Sequence, residues 1–224
     1  MLYNLLCRAI VVLICATLAS ATDNAGGGVT NVILVGATGN LAKKYLFQSF
    51  FQQSIKNPNL HVYPGARVTP DKGQDLIETI VSQNVSCTEG DLTDVPCEVT
   101  MASFLNRIHP YSQLKREEHW EALGRTLTEA HAGDKPNEAG RLLYLSIPPR
   151  AYATVAEYIN KYLRPSENAW LRVIFEKPFG SDTNSATVLA ESLTQHLSEE
   201  EIYRVDHYLG KAGVQVKNPS HCRP

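Results

Sequence analysis

Two segments in the second half of the chain carry side chains suited to chemistry on a phosphorylated substrate. In Glu176-Lys177-Pro178-Phe179-Gly180, a preceding apolar run predicts a strand that ends beside a lysine, where open parallel sheets bind ligands. The segment Tyr203 to Lys211 holds an acid, an imidazole, a phenol and an amine within six residues. Such a cluster offers donors to a phosphate and a carboxylate that can orient a histidine. A charged, exposed turn is the alternative interpretation.

A glycine-containing turn near the start of the chain predicts a phosphate cradle. Gly36-Ala37-Thr38-Gly39-Asn40-Leu41 follows a predicted strand and opens a predicted helix. Glycines there let the backbone approach a pyrophosphate, and the helix N-terminus supplies unpaired N–H donors. The spacing departs from G-x-G-x-x-G, so a simple tight turn between strand and helix stays open as an alternative.

Arg67 follows the second predicted strand, in the region that reads the adenosine ribose in a dinucleotide-binding unit. An acidic residue there favours NAD, whereas an arginine pairs with the 2′-phosphate of NADP. The residue types therefore favour NADP, with NAD as the alternative cofactor. A solvated loop charge is the other interpretation of Arg67.

The elements that must position these residues alternate between short apolar runs and helical periodicity. This pattern predicts an α/β fold with a Rossmann-like, doubly wound and mostly parallel sheet. Strands are predicted at Asn31–Val35, Leu60–Tyr63, Leu142–Ile147 and Leu171–Phe175. Helices are predicted at Leu41–Ile55, Asp71–Val81, twice within Val99–His131 around His109-Pro110, at Ala151–Tyr162 and at Thr183–His196.

The composition limits the classes of partner. The 224 residues carry a net charge of -2 and a pI near 6.4, which provides no basic field for nucleic acid. No nucleic-acid partner and no metal site are predicted. The length fits one principal domain.

The first 28 residues predict entry into the secretory pathway. A positive charge at Arg8 precedes the apolar run Ala9–Ala19, which is too short to span a bilayer. Ala19-Ser20-Ala21 is a small-x-small pattern, so residues 1–21 are interpreted as a signal peptide that is cleaved, leaving no membrane span. An uncut N-terminal anchor is the alternative.

Two features of one polar segment suit an oxidising lumen. Cys87 and Cys97 are ten positions apart and bracket a polar segment that can close as a disulfide loop, with two separate surface thiols as the alternative. Asn84-Val85-Ser86 is an N-glycosylation sequon, a triplet that also occurs by chance.

With these motifs in place, the chain resembles the glucose-6-phosphate dehydrogenase family, and within it the endoplasmic-reticulum hexose-6-phosphate dehydrogenase branch. The paired motifs at 176–180 and 206–211 carry the resemblance, which runs from about Asn31 to Gln215. It implies that Lys177 contacts the dinucleotide and reaches the sugar near its reacting carbon, and that Asp206 orients a histidine base. It also implies that Arg67 reads the 2′-phosphate. The resemblance further implies dinucleotide contacts at Gly36, Ala37, Thr38, Gly39, Asn40, Leu41, Ala42, Lys43 and Tyr144, and sugar-phosphate contacts at His207, Tyr208, Leu209, Gly210 and Lys211.

The implied activity is oxidation of glucose 6-phosphate, or a related hexose 6-phosphate, at C1, with hydride transfer to NADP in the lumen of the endoplasmic reticulum. This reaction is the first step of the pentose phosphate pathway, and a homo-oligomer is consistent with the resemblance. Asn40 departs from the family, which usually has an aspartate there.

The resemblance places the histidine base in a following antiparallel α+β domain, whereas this chain leaves the family pattern after Gln215. We therefore expect a domain at 29–215 that binds NADP and starts the substrate site, a divergent tail at 216–224, and low or no activity. A non-catalytic NADP-binding or regulatory isoform is the alternative.

Overall fold

The computed structural model describes residues 29–87, 95–130, 139–167 and 169–206. The strands are β1 Thr30–Val35, β2 Leu60–Ala66, β3 Ser112–Gln113, β4 Gly140–Leu145, β5 Leu171–Glu176 and β6 Ile202–Val205. The α-helices are α1 Phe47–Lys56, α2 Pro70–Asn84, α3 Cys97–Leu105, α4 Glu117–Glu129, α5 Tyr152–Tyr162 and α6 Thr183–Thr194. A π turn at Ala42–Leu46 leads into α1, and short 3-10 segments lie at Pro149–Ala151 and Glu199–Glu201.

The six described strands form one parallel sheet in the order β3-β2-β1-β4-β5-β6. This order confirms the predicted Rossmann-like, doubly wound fold. The chain builds the sheet outward from β1 in one direction and then outward from β4 in the other. The crevice between β1 and β4 is therefore the switch point at which such sheets bind ligands.

Helices cover both faces of the sheet, and strand alternation divides the core into two layers. Val32 and Leu34 pack with α1, α2 and α3, whereas Ile33 and Val35 pack with α4, α5 and α6. Burial on both faces explains the unbroken apolar runs Val32–Val35 and Leu142–Leu145 in the central strands.

Two strands were not predicted from the sequence. β3 has only two residues, too few for a recognisable apolar pattern, and β6 lies at the start of the polar segment that was interpreted as a functional cluster. β2 also runs beyond its predicted end at Tyr63, through Pro64 and as far as Ala66. Tertiary pairing thus extends or creates strands where local pattern is weak.

A disulfide joins Cys87 to Cys97, with the two Cα atoms 6.0 Å apart. It ties the chain just after α2 to the first residue of α3. Closing a loop of this length restricts the unfolded chain and contributes about 3 kcal/mol. Of the two alternatives for these cysteines, the structure contains the paired one.

Within the described ranges, no helix is long and apolar enough to cross a membrane. The same residues contain no group of three or more histidine, cysteine, aspartate or glutamate side chains placed to hold a metal ion.

We predict that the protein loses stability between about pH 10 and about pH 12. Burial raises the pKa of Tyr63, Tyr111 and Tyr152 to about 12, above the value near 10 of an unfolded chain. The unfolded state therefore releases these protons first. The stabilisation is fully present below about pH 10 and is lost as the pH rises through the folded pKa.

The measurement is urea unfolding followed by circular dichroism across this pH range. A Tyr63→Phe variant is the control, because its stability should fall less steeply with pH. A free energy of unfolding that stayed constant from about pH 10 to about pH 12 would contradict the assignment.

Candidate functional site

The turn after β1 is built so that only glycine fits at its first position. Gly36 has φ +88°, and its N–H donates to the carbonyl oxygen of Gly65 at 2.7 Å. A Cβ on Gly36 would lie 2.1 Å from the carbonyl oxygen of Ser146 at the end of β4. The turn is thus held between the ends of β2 and β4.

Helical structure begins at Asn40, directly after this turn. The N–H of Gly39 donates to the oxygen of Gly36 at 2.9 Å, and the N–H of Lys43 donates to Gly39 at 2.9 Å. The following π turn widens the helix, and such turns are frequent at functional sites. Because the first N–H groups of a helix have no partner inside it, they are available to an anion.

The predicted cradle residues fall into two groups. Ala37 and Ala42 are completely buried, and the N–H of Ala37 donates to the carbonyl oxygen of Gly65 at 3.0 Å, so these two residues shape the turn from within. The side chains of Asn40 and Lys43 are exposed, and Thr38 and Leu41 are half-buried.

A groove of about 620 Å³ opens at the switch point, at the carboxyl ends of β1, β2 and β4. Gly36, Thr38 and Gly39 line one part of it. Its walls also carry the exposed cations Arg67, Lys115 and Arg150, and no described residue that lines it is an aspartate or glutamate. The charge of the groove therefore favours an anionic ligand such as a phosphorylated cofactor.

Two of these cations were not predicted as site residues. Lys115 follows β3, and Arg150 lies in the 3-10 segment after β4. The sequence offered a signal for Arg150 only, since it follows Pro148-Pro149 at the end of a predicted strand. Parallel pairing of β3 with β2 is what brings Lys115 to the same groove as Arg67.

Two further residues predicted for the site, Lys177 and Asp206, lie together at the carboxyl ends of β5 and β6. Glu176 pairs with Val205 in the sheet, so the next residues, Lys177 and Asp206, emerge side by side. The Nζ atom of Lys177 lies 3.1 Å from Oδ2 of Asp206. The lysine side chain is 56% exposed and the aspartate side chain 18% exposed, which leaves the amine accessible to a ligand.

Two tyrosines hold the end of β5 through hydrogen bonds to Glu176. The hydroxyl of Tyr144 donates to Oε1 of Glu176, and the hydroxyl of Tyr152 donates to the backbone oxygen of Glu176 at 2.7 Å. The N–H of Glu176 in turn donates to the Tyr152 hydroxyl at 3.2 Å. Burial raises the pKa of the Tyr144 phenol well above its usual value, and the neighbouring Glu176 raises it further.

Tyr144 is one of the residues expected to contact the dinucleotide. It is completely buried on the sheet face covered by α1, α2 and α3, and its hydroxyl is engaged by Glu176. In this structure its side chain supports the strand end that carries Lys177. The expected sugar-phosphate residues lie outside the described ranges, namely His207, Tyr208, Leu209, Gly210 and Lys211.

The sheet order, the glycine turn and the cationic groove define a Rossmann-type dinucleotide-binding domain. Residues 33–216 match the family model "Glucose-6-phosphate dehydrogenase, NAD binding domain". The chain belongs to the glucose-6-phosphate dehydrogenase family.

Several relatives are similar over most of this chain. It is 44% identical over 191 residues to the GDH/6PGL endoplasmic bifunctional protein of Oryctolagus cuniculus, and 42% identical over 193 residues to that of Homo sapiens. Each alignment covers 84% of this chain and 24% of the relative. The chloroplastic glucose-6-phosphate 1-dehydrogenase of Spinacia oleracea is 36% identical, with 83% of this chain and 32% of the relative aligned.

A solved glucose-6-phosphate dehydrogenase in complex with its substrate glucose-6-phosphate has a TM-score of 0.69 and 30% identity. The match covers 85% of this chain and 39% of the solved one. This chain thus spans about a quarter of the length of the endoplasmic relatives and well under half of the solved chain.

Proposed function

We propose that this chain binds NADP and serves the oxidation of a hexose 6-phosphate, such as glucose 6-phosphate, at C1, giving the lactone in the first step of the pentose phosphate pathway. The observation that carries the proposal is the groove at the switch point. It combines a glycine turn, a helix N-terminus and three cations with no described acidic lining residue. Family membership supports a nicotinamide cofactor in this groove.

The residues of the groove fit NADP in particular. The turn from Gly36 to Lys43 holds the pyrophosphate at the start of the helix, because the glycine turn leads directly into a helix N-terminus, whose first N–H groups favour an anion. Arg67 directly follows β2, where an acidic residue would bind the ribose of NAD. An arginine here pairs instead with a 2′-phosphate. Lys115 and Arg150 add to the positive field.

Lys177 and Asp206 form the catalytic edge of the proposed site. NADP, when bound, accepts the hydride removed from C1 of the sugar. Lys177 extends from β5 to hold the sugar near its reacting carbon, and Asp206 holds Lys177 and orients the histidine base. His207, Tyr208 and Lys211 supply phosphate contacts, with Leu209 and Gly210 in the same segment.

The lumen of the endoplasmic reticulum is the proposed location. The Cys87–Cys97 disulfide is typical of an oxidising compartment. The two endoplasmic relatives support the same location.

We predict that Arg67→Ala weakens NADPH binding by about tenfold to a hundredfold and leaves NADH binding nearly unchanged. The variant loses one charge-assisted contact with the 2′-phosphate, worth about 1.5 to 3 kcal/mol, and NADH has no such phosphate. Fluorescence titration of the purified chain with each cofactor measures both affinities.

Arg116→Ala is the matched control, because Arg116 is an exposed arginine close to the groove that pairs with Glu118 and does not line it. It should leave both affinities unchanged. Equal losses for NADPH and NADH in Arg67→Ala would show that Arg67 does not read the 2′-phosphate.

Turnover tests the expectation of low or no activity. NADPH production from glucose 6-phosphate by the chain as printed, abolished by Lys177→Met, would show that the chain is a working dehydrogenase. NADPH binding with no measurable production agrees with that expectation and is also the result predicted by the alternative, a non-catalytic NADP-binding or regulatory isoform. Failure to bind either cofactor contradicts both.

A further inference from the structure

We propose that Asn84 is the acceptor of an N-linked oligosaccharide. The proposal rests on the lumenal location proposed above. Asn84-Val85-Ser86 is the only usable sequon of the chain, because the other Asn-x-Ser triplet, Asn218-Pro219-Ser220, has a proline at its middle position.

The structure places this triplet across the end of a helix. Asn84 is the last residue of α2, and Val85 has extended backbone, with φ -104° and ψ 126°. Asn84 is half-buried and Ser86 is exposed. Val85 between them is buried, and the backbone N–H and oxygen of Ser86 both bond the side chain of Gln48. The accessible part of the triplet is therefore the Asn84 amide and the Ser86 side chain.

The hydrogen bond of the acceptor amide is compatible with substitution. Nδ2 of Asn84 donates to the carbonyl oxygen of Ile80 at 2.9 Å. A side-chain amide has two N–H hydrogens, so one remains for exchange while the other keeps this bond. Modification thus does not require the last turn of α2 to open.

The chemistry is a glycosyl transfer from an oligosaccharide carried on a lipid diphosphate. The bond between the anomeric carbon and the diphosphate oxygen breaks, and a bond forms between that carbon and Nδ2 of Asn84. The lipid diphosphate leaves with the electron pair, and Nδ2 loses one proton. No oxidant or reductant is involved.

The position of Asn84 at the end of α2 leaves the proposed cofactor site accessible. α2 starts beside the carboxyl end of β2, where Arg67 lines the groove, and runs back along the sheet for 15 residues. At 1.5 Å per residue its two ends are about 22 Å apart. An oligosaccharide on Asn84 therefore projects from the end of the domain opposite to the groove.

A second observation agrees with this modification. Cys87 lies three residues after Asn84 and is disulfide-bonded to Cys97. Disulfides form in the compartments in which lipid-linked oligosaccharides are transferred. The acceptor and the disulfide thus belong to one surface region suited to the same lumen.

The test is translation of the full 224-residue chain with microsomes derived from the endoplasmic reticulum. We expect a protease-protected product that shifts once on a gel after N-glycosidase treatment, with Asn84 converted to aspartate in the peptide mass spectrum. Ser86→Ala and Asn84→Gln should abolish the shift, and Ser86→Thr, which keeps the sequon, should retain it.

A protected chain without the shift would overturn the modification. An unprotected chain would overturn the lumenal location and the modification together. NADPH titration of the same samples keeps the proposed function separate, since glycosylated and enzymatically deglycosylated chains should bind with equal affinity. A glycan-dependent affinity would contradict the placement of Asn84 away from the groove.

Discussion

Gly36→Val is expected to abolish NADPH binding and to lower the melting temperature of the protein without cofactor. At φ +88° a residue with a side chain is strained by about 1 to 3 kcal/mol. In addition, the new Cβ would lie 2.1 Å from the backbone oxygen of Ser146, which has no side-chain freedom to move away. The turn must therefore shift by about 1 Å. A displacement of that size in a site that positions a ligand should weaken NADPH binding by about a hundredfold.

Gly39→Ala is the matched control in the same turn. Its Cβ would be 3.1 Å from the oxygen of Gly36, and its φ is not in the left-handed region. A movement of a few tenths of an ångström relieves this contact, so the melting temperature should stay close to that of the parent. Differential scanning fluorimetry and NADPH titration measure the two properties. A Gly36→Val protein with the parental melting temperature would contradict the packing argument.

The alternation of apolar runs was sufficient to predict the fold class and the central strands. β1, β4 and β5 are buried on both faces, so each contains an apolar run, and Gly36, Pro148 and Lys177 follow these strands in the sequence. Edge strands such as β3 depend on pairing with a neighbour rather than on their own pattern, and no local signal predicted them.

The candidate site was only partly predictable for the same reason. Gly36 and Arg67 follow strands that the sequence pattern predicts. Lys115, in contrast, reaches the groove through the pairing of β3 with β2. Lys177 and Asp206 were both selected from motifs, but their ion pair follows from the register of β5 against β6. Residue type indicated the chemistry, and sheet register determined which side chains meet.

The surroundings of the Tyr144 side chain could not be predicted from the sequence. The resemblance assigned it to the cofactor, and strand periodicity alone does not tell whether a tyrosine at the end of a buried strand faces a ligand or the core. The structure buries it against Glu176. Its phenol therefore contacts the residue that precedes Lys177.

Tyr144→Phe is expected to destabilise the protein by about 1.5 to 3 kcal/mol, because it removes a hydrogen bond to the carboxylate of Glu176 in a buried environment. The same change should weaken binding of glucose 6-phosphate, since the end of β5 no longer holds Lys177 in one position. Urea unfolding measures the first effect. Calorimetric titration with the sugar phosphate measures the second.

A double-mutant cycle with Glu176→Gln separates this pair from general packing. If the phenol acts through the carboxylate, the two changes together should cost about 1.5 to 3 kcal/mol less than the sum of the single changes. Tyr152→Phe is the matched control, because the Tyr152 hydroxyl bonds the backbone N–H and oxygen of Glu176 and does not bond its carboxylate. It should therefore be additive with Glu176→Gln. Additivity of Tyr144→Phe with Glu176→Gln would show that Tyr144 fills the core without anchoring the end of β5.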